Sequence, residues 1–168
     1  MHKIINLLAF IVLSLITISA SSQTKFSKKP FKAKVTRIVD GDTYEVETQD
    51  HKTIRIRMFG IDAPEKSQTN GQKSMYGLSE LCYGKTIQIN PVGTDPNKRL
   101  VADAISSEGL NLNIEMVKLG LAWHFKRYSD NPLLALAEKD AKIAHRGLWV
   151  EANPTPPWEY RRKLLIIK

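Results

Sequence analysis

From Phe31 the chain alternates apolar and polar residues in three consecutive short runs, and this period of two constrains its fold more than any other feature. "KAKVTRIV" alternates up to an Asp-Gly pair, "TYEVET" alternates after it, and "TIRIRMFGI" follows a polar tip at "QDHK". Successive side chains on a strand point to opposite faces, so these runs read as half-buried strands and the polar breaks as turns. Asp40-Gly41 is the expected turn of the first hairpin, with Gly41 free to take a positive φ. Three strands joined this way form a meander.

The rest of the domain changes period twice. "QKSMYGLSELCY" has helical spacing through Met75, Leu78, Leu81 and Cys82, whereas "KTIQINPV" and "RLVADAIS" read as a fourth and fifth strand around the polar loop "GTDPNK". "NLNIEMVKLG" predicts a short helix closed by Gly120. "NPLLALAEKDAKIAHRG" predicts another, with Asn131 as N-cap, Pro132 in the first turn and Gly147 past its end. Five short strands, a helix before the fourth and two after the fifth predict an α+β fold. The expected architecture is an OB-type five-stranded β-barrel with three flanking α-helices, a scaffold that often binds oligonucleotides on one face.

The two ends read differently. Lys3, the uncharged run "IINLLAFIVLSLITISA" and the small residues after it predict a signal peptide over residues 1–22, cut near Ala20 to Ser22. An uncleaved membrane anchor is the competing reading, since the run is close to the minimum spanning length of about 17 residues. Either way the domain is expected to work outside the cytoplasm, secreted or periplasmic if the segment is cut and membrane-anchored if it is not. Residues 23–30 read as a linker, 31–150 as the folded domain, and 151–168 as a Pro-rich then basic tail. One cysteine, Cys82, excludes an intramolecular disulfide and reads as a small buried apolar side chain. A formal net charge of +8 and a pI near 9.6 suit a polyanion such as nucleic acid, although anionic surfaces attract basic proteins as well.

Against that charge, the placement of acids is informative. "DAPE", Asp62 to Glu65, has a bland reading as a helix start with Asp as N-cap, Pro in the first turn and Glu closing a capping box. Beside Asp42 it acquires another. If the second and third strands pair, Asp42 opens one and Asp62 follows the other, so both carboxylates lie at the same end of the sheet. Two close carboxylates repel unless positive charge lies between them. A hard cation with oxygen ligands answers this, and the backbone carbonyl of Ala63 offers one more oxygen.

The EF-hand pattern fails at Tyr44 and Glu45, and His2, His51, His124 and His145 show no paired zinc-ligand spacing. No P-loop or dinucleotide fingerprint occurs. On the third strand Arg55 and Arg57 are equal candidates for a phosphate contact. A regular strand would put Arg57, five residues before Asp62, on the opposite face from it, so the turn at "GID" must break the alternation.

Taken together and in this order, "VDGDTYEV", "RMFGIDAPE" and "TDPNKRLVA" resemble the staphylococcal nuclease-like (thermonuclease) family, from about Lys34 to Trp149. The resemblance implies an OB-type barrel with three helices and a calcium-dependent endonuclease that hydrolyses phosphodiesters of DNA and RNA, leaving 3′-phosphate ends. It implies metal binding by Asp42, Asp62 and the Ala63 carbonyl, and a general-base role for Glu65. Arg57, in preference to Arg55, and Arg99 match the phosphate arginines. Tyr128, in "GLAWHFKRYSDNP", is the expected nucleotide contact, with Trp123 in the core. Two departures stand out: Asn97-Lys98 replaces the Tyr-Gly that usually precedes the second arginine, and the segment between Glu65 and the first helix is shorter than in the prototype. No protein partner is implied, and the expected state is a monomer. The alternative is a non-catalytic nucleic-acid-binding module on the same barrel, from which carboxylates or arginines would be expected to be lost.

Overall fold

The computed structural model describes residues 28–166. The predicted signal peptide lies outside them, as does most of the linker. Five strands close into a barrel: β1 (Phe31–Ile38), β2 (Thr43–Glu47), β3 (Thr53–Met58), β5 (Thr86–Thr94) and β6 (Leu100–Ile105), in the order β1-β2-β3-β6-β5. β5 pairs back onto β1, and β3 runs parallel to β6 while the other pairings are antiparallel. Closure removes the unpaired sheet edges that would otherwise template association. The alternation read from the sequence is the burial pattern observed: Val35, Tyr44, Val46, Ile56, Met58, Ile87, Ile89 and Leu100 fill the barrel.

A two-residue strand β4 (Ile61–Asp62) follows β3 and pairs with another, β7 (Trp123–His124), a connection invisible to periodicity because each partner is too short to show one. Helix α1 (Gly71–Cys82) packs Leu78 and Cys82 into the core, and the Cys82 thiol is pushed up to about 12 by burial, which leaves it inert. α2 (Leu112–Lys118) starts at Asn111, whose side chain accepts from the Ile114 N–H. In α3 (Pro132–Ile143) Asn131 caps as expected, accepting from Leu133 N–H at 2.9 Å.

The structure corrects the helix count. The tail contains a fourth helix, α4 (Pro157–Ile166), after a 3₁₀ turn at Gly147–Val150. Pro157 at its start and Glu159 in its first turn are ordinary helix-opening residues, which a Pro-rich and basic composition masks. The capping-box reading of "DAPE" is also overturned. Residues 63–70 form a loop, α1 begins only after Asn70, and Asp62 lies on β4.

Gly41 does not have a positive φ. Its requirement is space, since a Cβ there would sit 2.6 Å from Ser74 Cβ and 2.8 Å from Ala63 Cβ. The hairpin tip is thus wedged against α1 and the loop after β4. Gly41→Ala is expected to destabilise the protein by about 1–3 kcal/mol through overpacking, read by chemical denaturation. An unchanged midpoint would show that the tip has room to move.

On the outer barrel face Glu45 accepts from Arg37 at 2.7 and 2.8 Å and from Arg55 at 2.8 and 3.0 Å. These hydrogen bonds lower its carboxyl to about 2, from an ordinary 4.5. A depressed carboxylate stabilises the fold above its unfolded value and loses that contribution as pH falls through the folded one. The stability gap between wild type and Glu45→Gln should therefore close between pH 4.5 and about 2. A gap independent of pH in that window would contradict the pairing.

Candidate active site

Strand register assembles the site. Thr43 pairs with Arg57 across β2 and β3, which sets Asp42, just before β2, beside the end of β3. The Asp42 carbonyl accepts from Met58 N–H at 2.9 Å and locks that approach. The chain then turns at Phe59-Gly60, where Gly60 has φ 73 and no room for a side chain beside Leu134 and Ser129. That turn breaks the strand alternation and returns Asp62 toward Arg57. β4 is held by β7, and Phe125 N–H donates to the Gly60 carbonyl at 2.8 Å. Buried Glu138 on α3 accepts from His124 N–H at 3.1 Å, anchoring β7 in turn.

Arg57 lies between the two aspartates, with Nη1 2.6 Å from Asp42 Oδ2 and Nη2 2.8 Å from Asp62 Oδ1. Its side chain is only 14% exposed and that of Asp62 1%. Asp42 also accepts from Ala63 N–H at 2.6 Å and from the Thr43 hydroxyl at 3.0 Å. Burial pushes the Asp62 carboxyl above its ordinary value; the hydrogen bond from Arg161 pulls it back, and the charge of Asp42 raises it again. Asp40, two residues from Asp42, is pushed up to about 7, by burial first and the Asp42 charge second. Three carboxyl groups thus share one basic, poorly hydrated corner.

Arg99 reaches the same corner from the β5–β6 loop. Its guanidinium is paired with Asp95 at 2.6 Å and approaches the Thr43 hydroxyl at 3.4 Å. Lys98 is exposed and is not among the residues lining the cleft, and neither is Arg55, which belongs to the Glu45 cluster. Asp42, Asp62, Ala63, Glu65, Arg57, Arg99 and Tyr128 all line one cleft of about 570 Å³. Tyr128 stands at its rim, 62% exposed, with its ring against Phe125 at 5.0 Å. Trp123 is not in the main core. It packs with Ala141, Leu148 and Trp149 in a second cluster.

Arg161, from α4, was not legible in the sequence. Its Nη1 lies 2.7 Å from Glu65 Oε1 and 3.2 Å from Asp62 Oδ1, and its Nη2 lies 2.7 Å from Asp62 Oδ2. Burial opposes its charge, but the hydrogen bonds to Asp62 and Glu65 hold the guanidinium above its ordinary value. The only sequence signal was "RRK" in a basic tail, which does not say which cation turns inward.

The donor set suits a hard cation. Asp42 and Asp62 direct anionic oxygens at shared positive charge, with no cysteine or histidine in the cleft lining. Among the described residues no three His, Cys, Asp or Glu side chains close a metal site by themselves, so backbone or solvent oxygens would complete the coordination.

A closed OB-type barrel whose end carries paired aspartates, a nearby glutamate and converging arginines defines the class of phosphoryl-group enzymes built on this scaffold. The profile of the family described as "Staphylococcal nuclease homologue" matches residues 55–151, and the chain belongs to that family. It is 39% identical over 157 residues to an uncharacterized endonuclease of Haemophilus influenzae, covering 94% of this chain and 85% of the relative. An uncharacterized endonuclease of Escherichia coli O157:H7 is 38% identical over 130 residues, covering 77% and 84% respectively. A probable staphylococcal-like nuclease of rice, CAN3, is 44% identical over 111 residues, 66% of this chain and 29% of that longer protein.

Removing Arg57 leaves two buried carboxylates without their shared counter-charge. Arg57→Ala should cost about 3 kcal/mol of stability in metal-free protein. Arg55→Ala, on an exposed pair, should cost no more than about 1 kcal/mol. Equal costs in denaturant titrations would refute the buried-bridge account.

Proposed function

We propose that the protein is a calcium-dependent endonuclease that hydrolyses phosphodiester bonds of DNA and RNA with little sequence preference, leaving 3′-phosphate ends. The observation that carries this reading is the convergence of Asp42, Asp62, Glu65, Arg57 and Arg99 on one cleft. Both family match and relatives named as nucleases support it. The sequence-stretch over residues 1–22 supports a secreted or periplasmic setting.

Asp42 and Asp62, with the Ala63 carbonyl, would hold the calcium ion, which when bound supplies Lewis-acid polarisation of a phosphoryl oxygen. Glu65 accepts a proton from the water that attacks phosphorus. The bond from phosphorus to the 5′ oxygen breaks in line with that attack, the 5′ oxygen leaves as a hydroxyl by taking a proton from solvent, and the phosphate stays on the 3′ side. Arg57 and Arg99 donate to the equatorial oxygens as charge builds on them. Tyr128 at the rim offers a ring face to a base, which any base can use. Exposed lysines grip the backbone without reading sequence.

Asp42→Ala and Asp62→Ala should each abolish calcium-dependent cleavage of DNA and RNA, as EGTA should in the wild type. Arg57→Lys and Arg99→Lys should lower kcat on the order of 10²–10³ with little change in KM, because an ammonium cannot reproduce the two-pronged contact and the lost interaction belongs to the transition state. Tight nucleic-acid binding without any cleavage, with or without calcium, would instead favour the non-catalytic module.

A further inference from the structure

The C-terminal segment is sewn onto the loop that carries Glu65. Asn70 Nδ2 donates to Glu151 Oε1 at 2.7 Å, and Gln68 Nε2 donates to the Thr155 carbonyl at 2.6 Å. The Tyr160 hydroxyl donates to the Ser67 carbonyl at 3.3 Å and lies 3.1 Å from the Ser67 hydroxyl. Gln68 in turn accepts from Glu65 N–H through its side chain and donates its own N–H to the Glu65 carbonyl at 2.8 Å. Loop 65–70 has no regular structure of its own to fix it. Beyond its own turn hydrogen bonds, the loop bonds to residues 151–161.

Arg161 completes the arrangement. Among the described residues it is the hydrogen-bond partner of the Glu65 carboxylate, and the same fork holds both oxygens of Asp62. Glu65 and Asp62 are like charges brought together in one cleft, and a cation between them offsets their repulsion. The fork itself is fixed from behind. Trp158, three residues earlier on α4, stacks on Phe125 with ring centroids 5.4 Å apart and meets Trp123 edge-on at 5.5 Å. α4 is therefore docked through aromatic contacts to the segment after β7, which is tied to β4 and so to Asp62.

We propose that residues 151–161 are a brace for the catalytic loop and that Arg161 is a positioning residue, setting the Glu65 carboxylate relative to Asp62. The catalytic part of this inference rests on the reading of Glu65 as the base. The bracing part does not. A guanidinium is suited to the task because its planar fork fixes two carboxylates at once, which an ammonium cannot do.

The test uses the full mature chain and three variants, Arg161→Ala, Arg161→Lys and Glu65→Gln, with the Arg161→Ala/Glu65→Gln pair. Amide hydrogen exchange over residues 65–70 should accelerate in Arg161→Ala while the barrel strands stay protected. Unchanged exchange in that loop overturns the brace. In steady state Arg161→Ala should lose on the order of ten- to a hundredfold in kcat with KM little changed, the usual cost of removing a partner that orients a reacting group, and Arg161→Lys should recover only part. In the Glu65→Gln background the same substitution should have almost no further effect, because its target is already gone.

A full additional loss in that background makes Arg161 a direct phosphate contact and overturns the positioning role. Higher activity in Arg161→Ala, or tighter calcium binding by calorimetry, makes Arg161 a competitor for the cation site and overturns it as well. Near-normal turnover in Glu65→Gln alone refutes the base assignment and the positioning role with it, while the exchange measurement still decides the brace.

Discussion

Two aspartates held within hydrogen-bonding distance of one guanidinium, in a place water scarcely reaches, are the constraint on which the rest of this structure turns. Asp42 and Asp62 would repel across the cleft floor, and Arg57 converts that repulsion into a buried bridge. Burying charge in this way is rarely the most stable solution for a fold, since well-packed apolar side chains often do as well. Its presence at the barrel end, with Asp40 also raised, marks a place where folding and chemistry pull in different directions.

Much of the surrounding architecture serves to make that bridge geometrically possible. The Thr43–Arg57 pairing brings the first carboxylate to the arginine, and the Gly60 turn brings back the second. Gly41 lets the hairpin tip press against Ser74 and Ala63, so that Ala63 N–H can reach Asp42. The short β4–β7 pairing then ties this corner to α3 through Glu138, and α3 otherwise lies outside the barrel. None of these contacts is large. Together they fix three side chains from three elements relative to one another, which is what chemistry at a phosphoryl centre asks of a scaffold.

The cleft has a second wall made by the tail. α4 turns Arg161 inward while Trp158 packs against Phe125 and Trp123, so the site is enclosed by the barrel on one side and by the last helix on the other. A proline-rich stretch is a reasonable bridge to such a helix, because it limits the conformations the segment must give up on docking. Tyr128 stands exposed at the rim of the cleft, and the residues just before it, Lys126 and Arg127, are exposed as well.

What the sequence by itself determined is whatever local spacing can encode. Alternation over Lys32–Val39, Thr43–Thr48 and Thr53–Ile61 specified strands and their inward faces, because a strand repeats every two residues and a register slip would expose every apolar side chain. Asn131 marked a helix start through the hydrogen bond its side chain can make, and "VDGD" with "IDAPE" marked the two carboxylates. Local spacing failed where two readings share one pattern. "DAPE" satisfies a helix cap and a cleft loop equally, Gly41 satisfies a positive φ and a close approach, and Arg55 and Arg57 occupy the same face of one strand. Only the tertiary structure decided between them, since each choice depends on what arrives from elsewhere in the chain: Ser74 against Gly41, Asp42 and Asp62 around Arg57, and Glu45 claiming Arg55. Arg161 is the extreme case. It meets Asp62 and Glu65 from nearly a hundred residues away, and no local pattern carries the orientation of a helix that is fixed by distant aromatic rings.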